Sequence, residues 1–285
     1  MTSLLRGVAA RVVPCMAALA VVGCGPSAIE GNPDGAIAAD AAPVACRLPP
    51  GAVVGHHLRV LYLLPSDREA VPARIANLES AIRHVQHWFT ARTPDGLSYL
   101  THAPTVEVIE LDNVASYYAT NDNGINESLW FFNNVVQDAF EASSASFDDP
   151  INRWVLAIEA DSDCEQIGRR TVQGVVVLPS SDLDVLAGAP RGDGCGESEE
   201  LEPRCAQVGQ IAYQLGRAFG LRRPPGCVDS DDSTPCDDSE LMESGADAYP
   251  DATLAEANVN TLADSPFFRP LNPCPLACDR VVNAP

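Results

Sequence analysis

A mixed α/β fold is predicted for residues 56–270, on three observations. Short runs carry apolar residues on both of their faces, as strands inside a sheet do. Two longer segments repeat apolar residues every three or four positions, the period of an amphipathic helix packed on such a sheet. A nearly all-valine run between them and a late helical segment reads as a central strand. The order is strand, helix, strand, helix, strand, strand, helix, in one domain of about 215 residues, near the upper end of the usual domain size.

The first strand is read at His57–Leu64, where Leu58, Val60, Tyr62 and Leu64 alternate with Leu61 and Leu63. Pro65, Ser66 and Asp67 supply a stop and a cap. The first long helix is expected over residues 68–92, with Ile75, Leu78, Ile82, Val85 and Phe89 on one face. His84 and His87 fall well away from that face and are expected in solvent. Residues 105–111 alternate Val106, Val108 and Ile109 with acids and predict a second strand. The second long helix is expected over 126–142 on Leu129, Phe132, Val136 and Phe140, and further strands over 153–159 and 172–178. Residues 182–203 and 229–240 are acid-rich and read as surface loops. The second lacks the D-x-[DN]-x-[DN]-G frame, so solvation is expected in place of calcium binding.

Residues 1–23 carry Arg6 and Arg11, then an apolar run over 12–22, in the pattern of an export signal too short to span a bilayer comfortably. Val21, Val22, Gly23 and Cys24 resemble the bacterial lipobox, which makes Cys24 the expected lipidation site. Several acyl chains at about 0.8 kcal/mol per buried CH₂ give stable anchoring. Residues 24–55, rich in Gly, Pro, Ala and Asp, are expected to be a flexible tether, and 271–285 a Cys/Pro-rich tail. The expected location is the bacterial cell envelope, with the domain in an oxidising extracytoplasmic compartment. Ten cysteines minus Cys15 and Cys24 leave eight, an even number that favours disulfides in an exported chain. Cys227 with Cys236 and Cys195 with Cys205 would close short loops, but connectivity does not follow from sequence. The chain has no Lys and a net charge of −21, so nucleic acid and anionic lipid surfaces are poor partners. The lipid anchor is the one expected membrane contact, and a peptide or protein the expected ligand class.

The chemistry concentrates in residues 207–227, QVGQIAYQLGRAFGLRRPPGC. Laid on the pattern H-E-x-x-H-x-x-G-x-x-H, the apolar and glycine positions match through Leu215, Gly216, Ala218, Phe219, Gly220 and Leu221. This frame resembles metzincin-like zinc peptidases, and in particular secreted bacterial zincins with the consensus HELGHAFGLPHP. The likeness extends over residues 57–268: residues 238–242 resemble the segment carrying the Met-turn, with Met242 as its methionine, and Tyr249-Pro250-Asp251 and Ser265-Pro266-Phe267-Phe268 resemble downstream landmarks. It implies a zincin-like mixed sheet with two long packing helices and an active-site helix above the Met-turn. On that helix Val208, Ile211, Leu215, Ala218 and Phe219 face inward, while Tyr213 and Arg217 share the opposite face.

Where the family pattern carries three histidines and a glutamate, this chain has Tyr213, Arg217, Arg223 and Gln214. Zinc is held by groups with a free lone pair, which a protonated guanidinium lacks. A guanidinium about 4 Å from a divalent cation costs about 8 kcal/mol at an effective dielectric of 20. An amide cannot act as general base near neutral pH. The expectation is therefore a zinc-free pseudoenzyme with no catalytic residues, acting as a binding or structural module. The alternative is a metalloprotease with a displaced site. Arg217 and Arg223 restore roughly the charge of the metal, with Asp237, Asp238 or Glu240 as expected internal partners. With Arg222 they could instead form an anion-binding cleft for a carboxylate such as a peptide C-terminus.

Overall fold

A strand that is apolar on both faces belongs inside a sheet, and β1 (His57–Leu64) is flanked by a strand on each side. The computed structural model describes residues 55–189, 204–224, 239–243 and 245–271. After β1 come α1 (Pro72–Arg92), β2 (Leu97–Tyr99), β3 (Thr101–Glu110), α2 (Ala115–Thr120), α3 (Trp130–Ala142) and β4 (Asn152–Ile158). They are followed by β5 (Arg170–Val172), β6 (Val175–Leu178), α4 (Ser180–Leu186), α5 (Arg204–Ala218), α6 (Glu256–Ala263) and β7 (Phe268–Pro270). The main sheet runs β3-β1-β4-β6-β5, parallel except for the edge strand β5, and β2 and β7 form a separate antiparallel pair. The expected mixed α/β class is what the chain adopts.

The period-2 alternation of β1 divides the core into two layers. Leu58, Val60 and Tyr62 pack with Leu78, Ile82, Val85 and Phe89 of α1 and with Val208, Ile211 and Leu215 of α5. Leu61 and Leu63 join Phe131, Phe132, Val135 and Val136 of α3 on the opposite face. Among the described residues no helix is long and apolar enough to cross a membrane. The signal segment with Cys24, the tether up to residue 54, Cys46, Cys195, Cys227, Cys236, Cys274, Cys278, the acidic residues 229–238 and the tail from 272 lie outside the described residues. Cys164 and Cys205 are each disulfide-bonded.

The chain departs from the sequence expectations at several places, each with a local cause. α1 starts at Pro72, not at 68: Val71 is extended, and its N–H donates to Tyr62 Oη at 3.2 Å. Asp67 does not cap α1. It accepts the Ala115 N–H at 2.7 Å and so holds the start of α2. The run 172–178 is not one strand, because Gln173 (φ 45°) and Gly174 (φ 82°) form a two-residue turn between β5 and β6. Positive φ at both central positions is the signature of the type I′ hairpin, whose twist matches that of its strands. Residues 182–186, expected in a loop, complete α4, where buried Asp182 takes both Nε (2.7 Å) and Nη2 of Arg169.

Candidate functional site

Helix α5 carries the segment with the family resemblance. Val208, Ile211, Leu215, Ala218 and Phe219 are buried, as the apolar stripe requires. The helix ends in a Schellman motif: Gly220 N–H donates to the Arg217 carbonyl (3.1 Å), and Leu221 N–H to the Gly216 carbonyl (2.9 Å). Gly220 stands at φ 92°, a conformation that glycine adopts without a side-chain clash.

Two further glycines, seven residues and so about two helical turns apart, open α5 to close backbone approach. A Cβ on Gly216 would lie 2.7 Å from Met242 Sδ. One on Gly209 would lie 2.6 Å from Tyr249 Cβ and closer still to the Ala246 carbonyl oxygen. Met242, Ala246 and Tyr249 therefore lie directly against the helix backbone, with Met242 fully buried beneath it.

That segment is fixed from two sides. Glu240, 3% exposed, accepts the Met242 N–H (2.6 Å), the Ala255 N–H (3.1 Å) and Asn258 Nδ2–H (3.1 Å). Asn258 also brackets the Arg222 backbone, accepting its N–H at 3.1 Å and donating to its carbonyl at 2.9 Å. From α1, Trp88 Nε1 donates to the Pro250 carbonyl (2.8 Å), and Arg92 Nε to that of Ala252 (2.9 Å). His84 Nδ1 meets Tyr249 Oη at 2.6 Å. His84 is buried, which overturns its expected exposure: the face of α1 turned away from the sheet is covered by residues 249–252. Burial, aided by His87, lowers the His84 pKa to about 4.

The four positions that depart from the zincin pattern have distinct settings. Tyr213 is half-buried at the margin of the core. Gln214, also half-buried, accepts the Thr171 hydroxyl of β5 at 2.5 Å through Oε1. Arg217 and Arg222 are exposed, and neither has an ion-pair partner among the described residues. Arg223, 49% exposed, forms an ion pair with half-buried Glu243, its Nε 3.6 Å from Oε2. An internal pairing of these arginines with Glu240 is not what forms, because neutral N–H donors occupy that carboxylate; Asp237 and Asp238 lie outside the described residues.

A second polar group sits beyond the carboxyl ends of β1 and β4, where open α/β sheets bind ligands. There Tyr62 Oη donates to Glu159, and Arg74 bridges Glu159 and Asp184. These carboxylates meet internal donors, so the group ties α1 and α4 to the sheet. Sequence reasoning missed Gly209, and it named Glu240 only as one of three ion-pair partners for the arginines, not as the acceptor of the Met242 and Ala255 N–H groups. Nothing marks Glu240 among the acids around it, but the seven-residue repeat of Gly209 and Gly216 on one helix face was a readable signal. Among the described residues no group of three or more His, Cys, Asp and Glu side chains stands close enough to hold a metal ion.

No protein-family model and no curated protein matches the chain. Among solved structures it is similar to OgpA from Akkermansia muciniphila, at 14% identity over 74% of this chain and a TM-score of 0.46. It is also similar to catalytically inactive OgpA in complex with an O-glycopeptide (glycodrosocin) substrate, at 15% identity and a TM-score of 0.44. Archaemetzincin from Methanopyrus kandleri matches at 13% identity over 75% of this chain and 96% of that one, with a TM-score of 0.34. The match covers 60% of OgpA. Similarity at this level transfers neither a fold nor a residue's role.

Proposed function

We propose that the chain is a non-catalytic binding module on a zincin-type scaffold. The observation that carries the reading is the setting of Arg217: a residue without a lone pair, exposed and without an ion-pair partner among the described residues, at a position where the family pattern needs a metal ligand. Tyr213, Gln214, Arg217 and Arg223 do not fit a zinc ion, because two are guanidiniums, one is an amide and the phenol alone is a weak ligand. Gln214 also cannot take a proton from water, so hydrolysis has no general base at this position. Structural support survives around these positions: the glycine seam, buried Met242 and the Schellman turn hold the helix end in place.

What this face can do is bind. Arg217, Arg222 and Arg223 lie within seven residues at the end of α5, on a chain that otherwise repels anions. A guanidinium fork matches a carboxylate, so the proposed ligand group is a carboxylate such as a peptide C-terminus. Calorimetry with a short peptide bearing a free C-terminus and with its amide tests this. The acid is expected to bind and the amide to bind at least about tenfold more weakly, with Arg217→Gln and Arg223→Gln each costing a similar factor. Equal binding of acid and amide, or binding unaffected by both substitutions, contradicts the assignment.

A further inference from the structure

Away from α5, the loop between α2 and α3 carries a reactive pair. Asn123 is followed by Gly124, whereas every other asparagine of the chain is followed by a residue that bears a Cβ. Residues 124–127 are exposed. Gly124 stands at φ 99°, and its N–H has no acceptor among the described residues. With no Cβ on the glycine, its main-chain nitrogen can approach the preceding side chain closely.

The same asparagine fastens the loop to α3. Asn123 Nδ2 donates to Asn134 Oδ1 at 3.0 Å and to Gln137 Oε1 at 3.1 Å, and its carbonyl accepts Asn133 Nδ2–H at 2.8 Å. Asn134 is fully buried, and its own Nδ2 donates to the carbonyls of Tyr118 (3.0 Å) and Asn121 (2.9 Å). Those two bonds fix the orientation of the Asn134 amide and leave its oxygen turned towards residue 123. Position 123 must therefore donate, which an amide does and an ionised carboxylate cannot.

We propose that Asn123 is a site of spontaneous deamidation whose product releases the loop from α3. The Gly124 nitrogen attacks Asn123 Cγ, the Cγ–Nδ2 bond breaks, and the side-chain amide leaves as ammonia with the proton that the Gly124 nitrogen gives up. Water then opens the cyclic imide at either carbonyl, giving aspartate or its β-linked isomer. Because Nδ2 is held in the closed loop, ring closure takes place from its locally opened form. Afterwards a carboxylate faces Asn134 Oδ1 and Gln137 Oε1. Gln137 can turn its amide, but Asn134 cannot without abandoning two carbonyls. The change is thus one-way: it adds negative charge and removes the bonds that tie the loop down.

The test incubates the full chain in mildly alkaline buffer and follows each asparagine by peptide mapping with mass spectrometry. The amide-to-acid mass change is expected to accumulate at Asn123 about tenfold faster than at any other asparagine, divided between two isomers that separate by chromatography. Amide hydrogen exchange reads the consequence. In Asn123→Asp the N–H groups of residues 117–126 should exchange about tenfold faster than in the parent, with those of α5 unchanged. The aged parent, folded before it is modified, supplies the same readout without a substitution. Deamidation no faster at Asn123 than elsewhere overturns the proposal. So does parental exchange over residues 117–126 in both Asn123→Asp and the aged protein, because the loop would then accommodate the acid.

Discussion

Gly209→Ala is expected to destabilise the protein by about 2–3 kcal/mol, although an alanine inside a helix ordinarily stabilises it by about 1 kcal/mol. The sign is set by contact. The added methyl would stand 2.6 Å from Tyr249 Cβ and against the Ala246 carbonyl, so either α5 or residues 246–249 must move. That segment cannot easily give way, because the His84, Trp88 and Arg92 side chains hold it from α1. For a domain of this size the loss corresponds to a fall in Tm of about 5–10 °C. Gly55→Ala is the control: nothing lies within 4 Å of its Cβ position, and a change below about 0.5 kcal/mol is expected. Thermal unfolding that leaves Gly209→Ala as stable as the parent would mean that the segment does not lie on the helix.

The second large effect is a loss of stability in acid that belongs to His84. Its folded pKa of about 4 lies below the ordinary value of 6.5, chiefly through burial. As pH falls the unfolded chain takes up the proton first, so the contribution of the neutral imidazole is complete above about pH 6.5 and is lost progressively towards about pH 4. The full loss amounts to about 3 kcal/mol. His84→Gln keeps a polar group opposite Tyr249 Oη and does not titrate. Carboxylates common to both proteins cancel in the comparison. Denaturant unfolding at several pH values should show a steeper fall for the parent than for the variant between about pH 6.5 and pH 4. Parallel curves would mean that His84 is accessible and not the buried pin described above.

Elements with a long apolar period were legible from sequence. β1, the body of α1, α3, β4 and the inward face of α5 all bury the residues expected of them. What was not legible falls into two kinds. β2 and β7 have three residues each, too few to show a period, and the β5–β6 turn was hidden inside a valine-rich run until Gln173 and Gly174 proved to hold positive φ. The other misses came from contacts made far along the chain. His84 was assigned to solvent from the α1 helix alone, but Tyr249, 165 residues later, covers it. Glu240 was considered as an ion-pair partner, whereas backbone N–H groups and Asn258 satisfy it. At α5 the residue identities carried the chemical argument, and only coordinates could show that Arg217 stands exposed while Gln214 is tied to Thr171.

Loss of zinc chemistry is the central claim, and it rests on the lone pairs that Arg217, Arg223 and Gln214 cannot provide. Its most direct test is the zinc content of the full-length protein purified without chelator from zinc-supplemented cells, measured alongside peptide hydrolysis. The expected result is zinc far below one equivalent and no hydrolysis that a chelator abolishes. One equivalent of retained zinc together with chelator-sensitive cleavage would contradict the claim and point to a displaced metal site.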